Sequence, residues 1–534
     1  MPGGTFDNAA VASTLDEYAA LLELADAGYY SARAYRRAAE LVRGLPVPIE
    51  GLVRSGRARE LRGIGPGIEA RLRELVESGH IAELDELRGR TSPELAAFAR
   101  MAGLGAKVGT AIAATLGIGT VAELRDAAAG GRLREVAGIG PRTEAKIVQA
   151  LAEERPRPPR PLLLHRARAL TEAIAEALGG VAAGDPRRWR DASTRLAVVV
   201  PTVRPDEVRE RFRALPQIVS VLDGDIGMTA DGTPIDLVLS APAALGTALL
   251  RATGAPDYVA GLGPLPDAPD EEGVYRLLGR PYLPPELREA AAPAVPPALV
   301  EVADVRGDLH CHTIRSDGKA TVLEMAEAAR DRGYEYVAIC DHTINVRVVP
   351  GLDGEAVRRQ ADEITAANEL LAPFRVLRGI ECDILPDGGL DLPDDVLAEL
   401  DWVQLSLHAG QRAPRRELTA RVTHAMRHPA VRSLSHPTGR LIGHRPENAL
   451  DLERTFEVAL ETGIALEVNG LPDRLDLSGE HVRRAIEAGV KITCSTDAHS
   501  VLGLDNMPLS VHTARRGHAR AVDVLNTRTL AELV

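Results

Sequence analysis

The feature that most restricts the fold of this chain is a series of short apolar runs, each followed by a histidine or an acidic residue. The runs lie within residues 303–534 and include YVAI, FRVLRGI, WVQLSL, VRSL and VKITCS, with helical segments between most of them. Strands that alternate with helices predict a parallel α/β barrel, whose functional residues lie at the carboxyl ends of the strands. The preceding run VEVADV (300–305) is interpreted as the strand that leads into the first histidines.

The residues at these predicted strand ends are of the types that bind transition metals. Alternation along a strand places His310 and His312 of RGDLHCHTIRSDG on one face. The later motifs are ICDHT, GIECDI, SLHAG, SHPTGR and STDAHS, and 12 of the 14 histidines of the chain lie after residue 300. Imidazole mixed with carboxylate suits manganese, zinc or iron. Clustered divalent ions of this kind catalyse phosphoester cleavage.

These motifs resemble the polymerase and histidinol phosphatase (PHP) family of metal-dependent phosphoesterases, over residues 303–534. The resemblance implies a distorted barrel with two to three divalent ions (manganese, zinc or iron). By position, one ion would be held by His310, His312, Glu381 and Asp497. Glu381 would bridge to a second ion, which His408 and His436 complete. Asp317, His342 and His499 would hold a third.

Three further side chains beside these motifs have predicted roles in catalysis. Asp308 lies two residues before His310 and Asp341 directly precedes His342, and both carboxylates are expected to orient ligands. Arg440, in HPTGRLIG, would either bind the scissile phosphate or brace its loop. Cys311, between two ligands, should face away from the metal as a packing residue.

Residues 1–155 are predicted to be helical and contain three similar Gly-x-Gly units. These are LRGIGPGIEARLREL, MAGLGAKVGTAIAATL and VAGIGPRTEAKIVQAL. Glycine permits a positive φ, and the helix that follows presents free N–H groups to a phosphate. One such unit could be a packing corner, but three favour binding to the DNA backbone without sequence preference. The candidate DNA-binding residues are Gly63, Gly65, Gly103, Gly105, Lys107, Gly138, Gly140 and Arg142.

The three units resemble helix-hairpin-helix motifs. With SARAYRRAAELVRGLP (31–46) they resemble the amino-terminal region of bacterial family X DNA polymerases, which can act as a deoxyribose-phosphate lyase through a Schiff-base lysine. Residues 1–100 contain no lysine. Because a guanidinium group cannot form a Schiff base, we do not expect that lyase activity here.

Residues 156–302 open with a Pro/Arg linker and resemble the palm and thumb of the same polymerases. A palm binds two magnesium ions through three carboxylates, two of them at positions i and i+2 of one strand. The residues that match this pair are Arg195 and Ala197, so only the third, Asp236, is retained. The Gly-Ser turn that would hold the nucleotide triphosphate reads Gly184-Asp185. We therefore predict a degenerate polymerase site.

The chain is thus expected to be multidomain. It would consist of an α-helical helix-hairpin-helix region, an α+β polymerase-like palm and thumb, and a carboxyl-terminal distorted (β/α) barrel of PHP type. The net charge of −13 restricts DNA contacts to local surfaces. Without a signal peptide or a long apolar run, the sequence predicts a cytoplasmic protein with no membrane partner. It leaves the oligomeric state open.

The favoured function is a metal-dependent phosphoesterase, a 3′→5′ DNA exonuclease acting in DNA repair with an inactive palm. One alternative is a small-molecule phosphatase of histidinol-phosphatase type, which leaves the three DNA-binding units unexplained. A second is a non-catalytic scaffold that binds DNA ends. A third is an active family X repair polymerase, which requires carboxylates that are absent at Arg195 and Ala197.

Overall fold

The computed structural model describes residues 8–533 apart from 25–28, 44, 46–47, 62, 91, 153–160, 291 and 347–348. The chain forms two compact units. The first comprises residues 1–162, 170–184 and 194–248, and the second comprises 163–169, 185–193 and 249–534. The predicted domain boundary at residues 155–156 lies in the segment 153–160, outside the described residues. The division into three domains stays a prediction.

The amino-terminal part of the first unit is helical, as the sequence predicted. Its buried apolar side chains form two clusters, one containing Leu15 and Leu72 and the other containing Leu124 and Leu133. Short 3₁₀ helices lie at Ala58–Glu60 and Arg132–Glu135. The helices are α1 (Asn8–Leu24), α2 (Tyr29–Arg43), α3 (Ile49–Arg54), α4 (Pro66–Ser78), α5 (Ala82–Arg90), α6 (Pro93–Met101), α7 (Ala106–Leu116), α8 (Val121–Ala129) and α9 (Pro141–Ala152).

A five-stranded mixed sheet completes the first unit. Residues 162–240 belong partly to each unit, since 163–169 and 185–193 are in the second. Their elements are β1 (Leu162–Leu163), α10 (Leu164–Leu178), β2 (Val181–Ala183), α11 (Gly184–Arg187), β3 (Ala192–Ser193), β4 (Leu196–Pro201), α12 (Pro205–Arg213), β5 (Ile218–Asp223), β6 (Ile226–Thr229) and β7 (Pro234–Ser240). The sheet order is β2-β4-β7-β6-β5. Strands β4 and β7 are parallel, and their register places Ala197 opposite Asp236.

Three helices and two 3₁₀ helices precede the barrel of the second unit. They are α13 (Leu245–Thr253), α14 (Pro256–Leu262), α15 (Glu271–Leu277) and the 3₁₀ helices Pro285–Leu287 and Val302–Asp304. The barrel strands are β8 (Gly307–Cys311), β9 (Tyr336–Ile339), β10 (Arg375–Asp383), β11 (Trp402–Ser406), β12 (Val431–Leu434), β13 (Ala465–Asn469) and β14 (Ile492–Ser495). The helices among and after them are α16 (Val322–Asp331), α17 (Gly354–Leu371), α18 (Asp394–Leu397), α19 (Arg415–Ala425), α20 (Leu452–Thr462), α21 (Gly479–Glu487), α22 (Met507–Arg516) and α23 (Leu530–Leu533).

The seven barrel strands are parallel and follow one another in chain order across the sheet. The backbone N–H of His312 donates to the carbonyl of Ala498 at 2.8 Å, and that of Ala498 donates to the carbonyl of His310 at 3.4 Å. These bonds join the two edges of the sheet next to β8 and β14. The result is a nearly closed parallel barrel, which confirms the predicted fold class.

Two details of the barrel differ from the sequence prediction. The segment VEVADV is not a strand, because Val302–Asp304 forms a 3₁₀ helix and the strand begins at Gly307. The Asp304 carboxylate accepts a hydrogen bond from the backbone N–H of Glu301 at 2.8 Å, a cap that favours the helical turn. In addition, β13 is a barrel strand that the list of apolar runs missed.

Candidate metal centre and DNA-binding motifs

The nine predicted ligands lie at or just beyond the carboxyl ends of barrel strands. His310 is the penultimate residue of β8 and Glu381 lies near the end of β10, whereas the other seven follow the strands. His310 and His312 are fully buried. His436 and Asp497 have positive φ angles of 25° and 54°. Side chains other than glycine rarely adopt such angles, and this strain concentrates at functional sites.

The side chains of these residues form three linked groups. One contains His312, Asp317, His342 and His499, a second contains His310, His312 and Asp497, and a third contains His342, Glu381 and His408. His436 joins the third group through Nε2, which lies 2.9 Å from Oε1 of Glu381. Because His312 and His342 each belong to two groups, the structure brings all nine residues together. Their assignment to individual ions stays a prediction.

The donor atoms fit divalent cations. Nδ1 of His342 lies 2.7 Å from Oε2 of Glu381, yet neither atom has a hydrogen-bond partner in the described part of the chain. Nδ1 of His312 is also buried and, among the described residues, without such a partner. Buried polar atoms are normally hydrogen-bonded, so lone pairs that converge without hydrogen bonds indicate a cation site.

The acidic members of the centre are held in the ionised form. Burial alone would raise the pKa of the Glu381 carboxyl, but the nearby imidazoles of His342, His408 and His310 hold it well below its usual range. The pKa of Asp497 is likewise held well below its usual range, against the effect of burial, by His310, His312 and His499. The ionised carboxylate is the form that binds metal. Against the effect of burial, Glu381 and Asp317 raise the pKa of His342 to about 10, so a metal ion that binds there must displace the proton of this imidazole.

Two carboxylates that the sequence interpretation missed fix the orientation of ligand histidines. Glu467, on β13, has Oε1 2.7 Å from Nδ1 of His310, and Asp383, on β10, has Oδ1 2.9 Å from Nδ1 of His408. Each carboxylate accepts the Nδ1–H and leaves Nε2 of the ring for an ion. The alternation in ALEVN, where Glu467 interrupts an apolar run, is the signal that could have identified β13 and its carboxylate.

Asp308 and Asp341 contact the backbone of the loops that carry the ligands. Asp308 accepts from the N–H groups of His310 and Thr496 at 3.2 Å each, and burial raises its pKa to about 6. Asp341 accepts from the N–H of Thr313 at 2.7 Å and from its hydroxyl at 2.6 Å. Both carboxylates therefore hold main chain beside His310 and His312. The orienting role proposed for them acts through these loops.

Arg440 uses its donors within its own unit. Nε donates to the carbonyl of Arg474 at 2.9 Å, and Nη2 donates to the carbonyl of Leu475 and lies 2.8 Å from Oδ2 of Asp191. Of the two roles predicted for Arg440, these are the contacts of a loop brace.

Cys311 is buried in an apolar cluster with Met325 and Val337, which confirms that it faces away from the candidate ligands.

The three Gly-x-Gly units have the backbone geometry that the sequence predicted. The first glycine of each unit has a positive φ, of 109° at Gly63, 72° at Gly103 and 88° at Gly138. Gly65 and Gly105 are the amino-terminal caps of α4 and α7, and α9 begins directly after Gly140. Lys107 and Arg142 are exposed in the first turns of α7 and α9. Free N–H groups at these helix starts can bind phosphate.

Two of the residues matched to the polymerase site, Arg195 and Asp236, form an ion pair. Nε of Arg195 donates to Oδ2 of Asp236 at 2.5 Å, and Nη2 donates to Oδ1 of the same carboxylate. Ala197, opposite Asp236, supplies no ligand atom. In the second unit, Asp185 pairs with Arg188, whose Nε also donates to Glu289 at 3.0 Å. Arg187 makes two hydrogen bonds with Glu271, of 2.8 and 2.7 Å.

The barrel is nearly closed and parallel, with imidazole and carboxylate clusters at its strand ends, and the same chain carries Gly-x-Gly helix starts. These features define the class: a barrel with a candidate metal centre, combined with helix-hairpin-helix domains. A family described as "Helix-hairpin-helix domain" matches residues 6–81, and one described as "SAM-like Helix-hairpin-helix tandem" matches residues 95–153. The DNA polymerase/3′-5′ exonuclease PolX of Bacillus subtilis is 34% identical over 556 aligned residues, which cover 97% of both chains. The chain belongs to the PolX family, that is, the bacterial family X polymerases with a PHP domain.

Two further relatives match part of this chain. A probable phosphatase of Acetivibrio thermocellus is 31% identical over 201 residues, which are 36% of this chain and 78% of the relative. A probable phosphatase of Photobacterium profundum is 30% identical over 213 residues, which are 37% of this chain and 80% of the relative. Separately, none of the described helices has the length and apolar character needed to cross a membrane.

Proposed function

We propose that this protein is a metal-dependent 3′→5′ DNA exonuclease that acts in DNA repair and has an inactive polymerase palm. The observation that carries the proposal is the convergence of nine imidazole and carboxylate side chains into three linked groups at the strand ends of the barrel. The 34% identity to a relative named as a polymerase and 3′-5′ exonuclease supports it. The predicted cytoplasmic location stays a prediction.

The proposed cofactors are two to three divalent ions, manganese, zinc or iron, held by the nine ligands. When bound, such ions activate water and offset the negative charge of a phosphodiester. Glu467 and Asp383 orient His310 and His408 through Nδ1, and the ionised Glu381 and Asp497 provide the negative charge of the site. We propose that the three helix starts bind the DNA backbone, so that affinity does not depend on base sequence.

The palm is proposed to be inactive because its charges are satisfied internally. The guanidinium of Arg195 bonds both oxygens of Asp236, the one carboxylate retained of three. A two-metal site needs several negative oxygens around each ion, and a cation already occupies this position. Arg187 and Arg188, which follow the turn matched to the triphosphate site, are paired with Glu271 and with Asp185 and Glu289.

A small-molecule phosphatase is the second candidate, because two relatives named as probable phosphatases match 36% and 37% of the chain. A phosphomonoester and a phosphodiester present the same phosphate to clustered metals. The helix-hairpin-helix domains at residues 6–81 and 95–153 favour DNA over a small molecule.

The test is degradation of single-stranded and gapped DNA labelled at either the 3′ or the 5′ end, with manganese and with or without deoxynucleotides. Wild type is compared with His310→Ala and with His424→Ala, a control that removes an exposed histidine of α19. A parallel assay measures phosphate release from histidinol phosphate.

Shortening from the 3′ end by wild type and His424→Ala, but not by His310→Ala, is the expected result. Extension of a primer in any lane would refute the inactive palm. Phosphate release from histidinol phosphate without DNA degradation would favour the phosphatase. DNA binding without either reaction would favour a non-catalytic scaffold.

A further inference from the structure

The turn after β13 brings an arginine to the edge of the metal centre. Arg474 ends this turn, and its N–H donates to the carbonyl of Leu471 at 2.9 Å. Nε of Arg474 lies 3.9 Å from Oδ2 of Asp497, one of the predicted ligands. The side chain of Arg474 is 19% exposed, so the guanidinium borders both the centre and solvent.

The guanidinium of Arg474 has a donor that no described residue uses. Nη1 is buried, and no hydrogen-bond partner for it exists among the described residues. The 3.9 Å between Nε of Arg474 and Oδ2 of Asp497 is also too long for a hydrogen bond. Leaving a buried donor unsatisfied opposes folding, so an unused donor beside a candidate catalytic centre indicates a ligand that supplies the acceptor.

The position of Arg474 is set by its main chain and leaves the side chain available. Arg440 donates to the carbonyl groups of Arg474, at 2.9 Å, and Leu475. Leu475 has a positive φ of 45° and is fully buried, in an apolar cluster with Leu164 and Leu509. Arg440 is itself held by Asp191 at 2.8 Å. The brace therefore fixes the turn without engaging the guanidinium of Arg474.

A second arginine lies near this guanidinium. Arg445 donates from Nε to the carbonyl of Gly439 at 2.8 Å. Burial, followed by the positive charge of Arg474, lowers the pKa of Arg445, whereas Asp476 and Asp473 act in the opposite direction. Two arginines that repel each other beside a metal centre favour an anion between or next to them.

We propose that Arg474 binds a non-bridging oxygen of the scissile phosphate. The inference rests on the proposed phosphoesterase function and assigns to Arg474 the phosphate contact that the sequence offered to Arg440. A planar guanidinium suits the paired oxygens of a phosphate. The recognised chemistry is a phosphate oxyanion, which either a DNA phosphodiester or a phosphomonoester supplies.

The first measurement is the specificity constant, kcat/KM, for degradation of single-stranded DNA from its 3′ end with manganese. Arg474→Gln is expected to lower it by about 10²- to 10³-fold, the usual effect of losing one preorganised donor to a developing charge. Arg474→Lys keeps the charge but not the paired donors, so it should recover only part of that loss. Arg454→Gln, in a surface ion pair of α20 with Glu457, is the matched control and should act as wild type.

The second measurement is calorimetric titration of the manganese-loaded proteins with inorganic phosphate, with metal content measured on the same samples. Wild type and Arg454→Gln should bind phosphate, and Arg474→Gln should bind it at least about tenfold more weakly with the same metal content. Hydrolysis of p-nitrophenyl phosphate, measured beside DNA degradation, distinguishes a phosphomonoester substrate from a phosphodiester.

The outcomes separate this inference from the proposed function. If Arg474→Gln loses phosphate binding and the wild type does not degrade DNA, the phosphate contact of Arg474 is supported and the proposed exonuclease function is refuted. Arg474→Gln that degrades DNA or binds phosphate at the wild-type level would refute the proposed phosphate contact of Arg474. Loss of bound metal from the Arg474→Gln protein would also refute it. Absence of phosphate binding by wild type would refute it as well. Should Arg474→Gln fail to fold, Arg474→Lys decides, because unchanged kcat/KM and phosphate affinity would overturn the inference.

Discussion

At the scale of single residues, the candidate metal centre depends on carboxylates that are not predicted ligands. Glu467 is fully buried and contacts two parts of the centre. Oε1 is 2.7 Å from Nδ1 of His310, and Oε2 accepts from the backbone N–H of His436 at 2.8 Å. The side-chain amide of Gln404 donates to Oε1 at 3.0 Å. One carboxylate thus fixes a histidine ring and the backbone of another ligand.

Glu467→Gln is expected to weaken metal binding by about 10- to 100-fold, the usual cost of removing a group that orients a ligand. The uncharged amide no longer stabilises the Nδ1–H form of His310. Calorimetric titration of the metal-free protein with manganese measures the change. DNA degradation should fall at limiting manganese and recover when manganese is raised.

Glu453→Gln, which removes an exposed carboxylate of α20, is the control for the loss of one charge. Equal manganese affinity in wild type, Glu453→Gln and Glu467→Gln would contradict the orienting role of Glu467.

The sequence predicted the candidate ligands better than the residues around them. The carboxyl ends of parallel strands lie at one edge of a barrel, and His310 and Glu381 are at such strand ends. It could therefore be expected from the order of the apolar runs that these two residues lie close together. Glu467 is inside an apolar strand and Arg474 is in a polar turn. Only the tertiary structure shows that one contacts His310 and that the other has an unused donor beside Asp497.

At the scale of elements, the helix starts of the Gly-x-Gly units can be tested without disturbing the fold. Gly65 and Gly105 have negative φ angles, of −83° and −70°, and a Cβ atom at either position would meet no atom of the described residues within 4 Å. Aspartate is a favourable residue at an amino-terminal cap. The same negative charge repels a phosphate at that helix start.

The double variant Gly65→Asp/Gly105→Asp should therefore be as stable as wild type, or more stable by about a few tenths of a kcal/mol. Its affinity for DNA should fall by at least about tenfold, equivalent to about 1.4 kcal/mol. Fluorescence anisotropy at one fixed salt concentration measures the affinity, and urea unfolding measures the stability.

Gly261→Asp, at an exposed position in α14, adds a negative charge elsewhere and should leave DNA binding unchanged. Equal DNA affinity for the double variant and wild type would show that these helix starts do not contact the backbone of DNA.

The 3₁₀ helix Pro285–Leu287 is joined to α22 by a buried carboxylate. Oε1 of Glu286 lies 2.8 Å from Nδ1 of His512 and 2.8 Å from Nε of Arg515. Burial opposes ionisation of Glu286, but the hydrogen bond with His512 and the charge of Arg515 lower its pKa to about 2. Because burial lowers the pKa of His512 itself, we attribute the charge pairing to Arg515.

The stability that this pairing contributes should be lost in acid. The folded-state pKa lies below the unfolded value of 4.5, so the contribution is full above about pH 4.5 and disappears as the pH falls toward 2. The shift corresponds to about 3 kcal/mol at pH 7. Urea unfolding of wild type and Glu286→Gln should differ by up to that amount at pH 7, and the difference should narrow as the pH falls below 4.5.

Glu301→Gln provides the comparison, because Glu301 also pairs with Arg515 but is 63% exposed. Its effect should be below about 1 kcal/mol. A difference between wild type and Glu286→Gln that does not change with pH would contradict the pairing.

The elements themselves were predicted unevenly, for physical reasons. Runs such as YVAI and VRSL became β9 and β12, since continuous apolar residues between helices suit buried parallel strands. In VEVADV the local cap between Glu301 and Asp304 outweighs the apolar pattern. In ALEVN the charged residue Glu467 interrupts the apolar run of β13, which hides the strand in the sequence. Such a residue is suited to this position because the inside of the barrel is polar at the carboxyl ends of its strands.

At the scale of the whole molecule, segments that are distant in the sequence belong to one compact unit. Residues 185–193, within the region that resembles a polymerase palm, belong to the same unit as the barrel. Asp191 of this segment pairs with Arg440 at 2.8 Å and with Arg516, 325 residues further along the chain. Sequence patterns are local and could not predict these pairs. The polymerase-like region thus contributes a side chain to the support of the candidate nuclease site.

Asp191→Asn tests whether this support matters for catalysis. Asparagine keeps the size of the side chain but removes the charge that holds Arg440, which bonds the backbone of Arg474 and Leu475. A small displacement of a phosphate-binding group is costly, and we expect kcat for DNA degradation to fall by about tenfold with little change in KM. Metal content should stay at the wild-type value, because none of the nine predicted ligands contacts Asp191 in the described structure.

If Asp191 acts through Arg474, the two substitutions should not be additive. Adding Asp191→Asn to Arg474→Gln should then cause no further loss, because the group that Asp191 positions is already absent. Asp206→Asn, at a side chain that is 91% exposed, is the control and should leave kcat unchanged. Additive losses would place the effect of Asp191 elsewhere in the unit, and an unchanged kcat in Asp191→Asn would show that the brace serves stability alone.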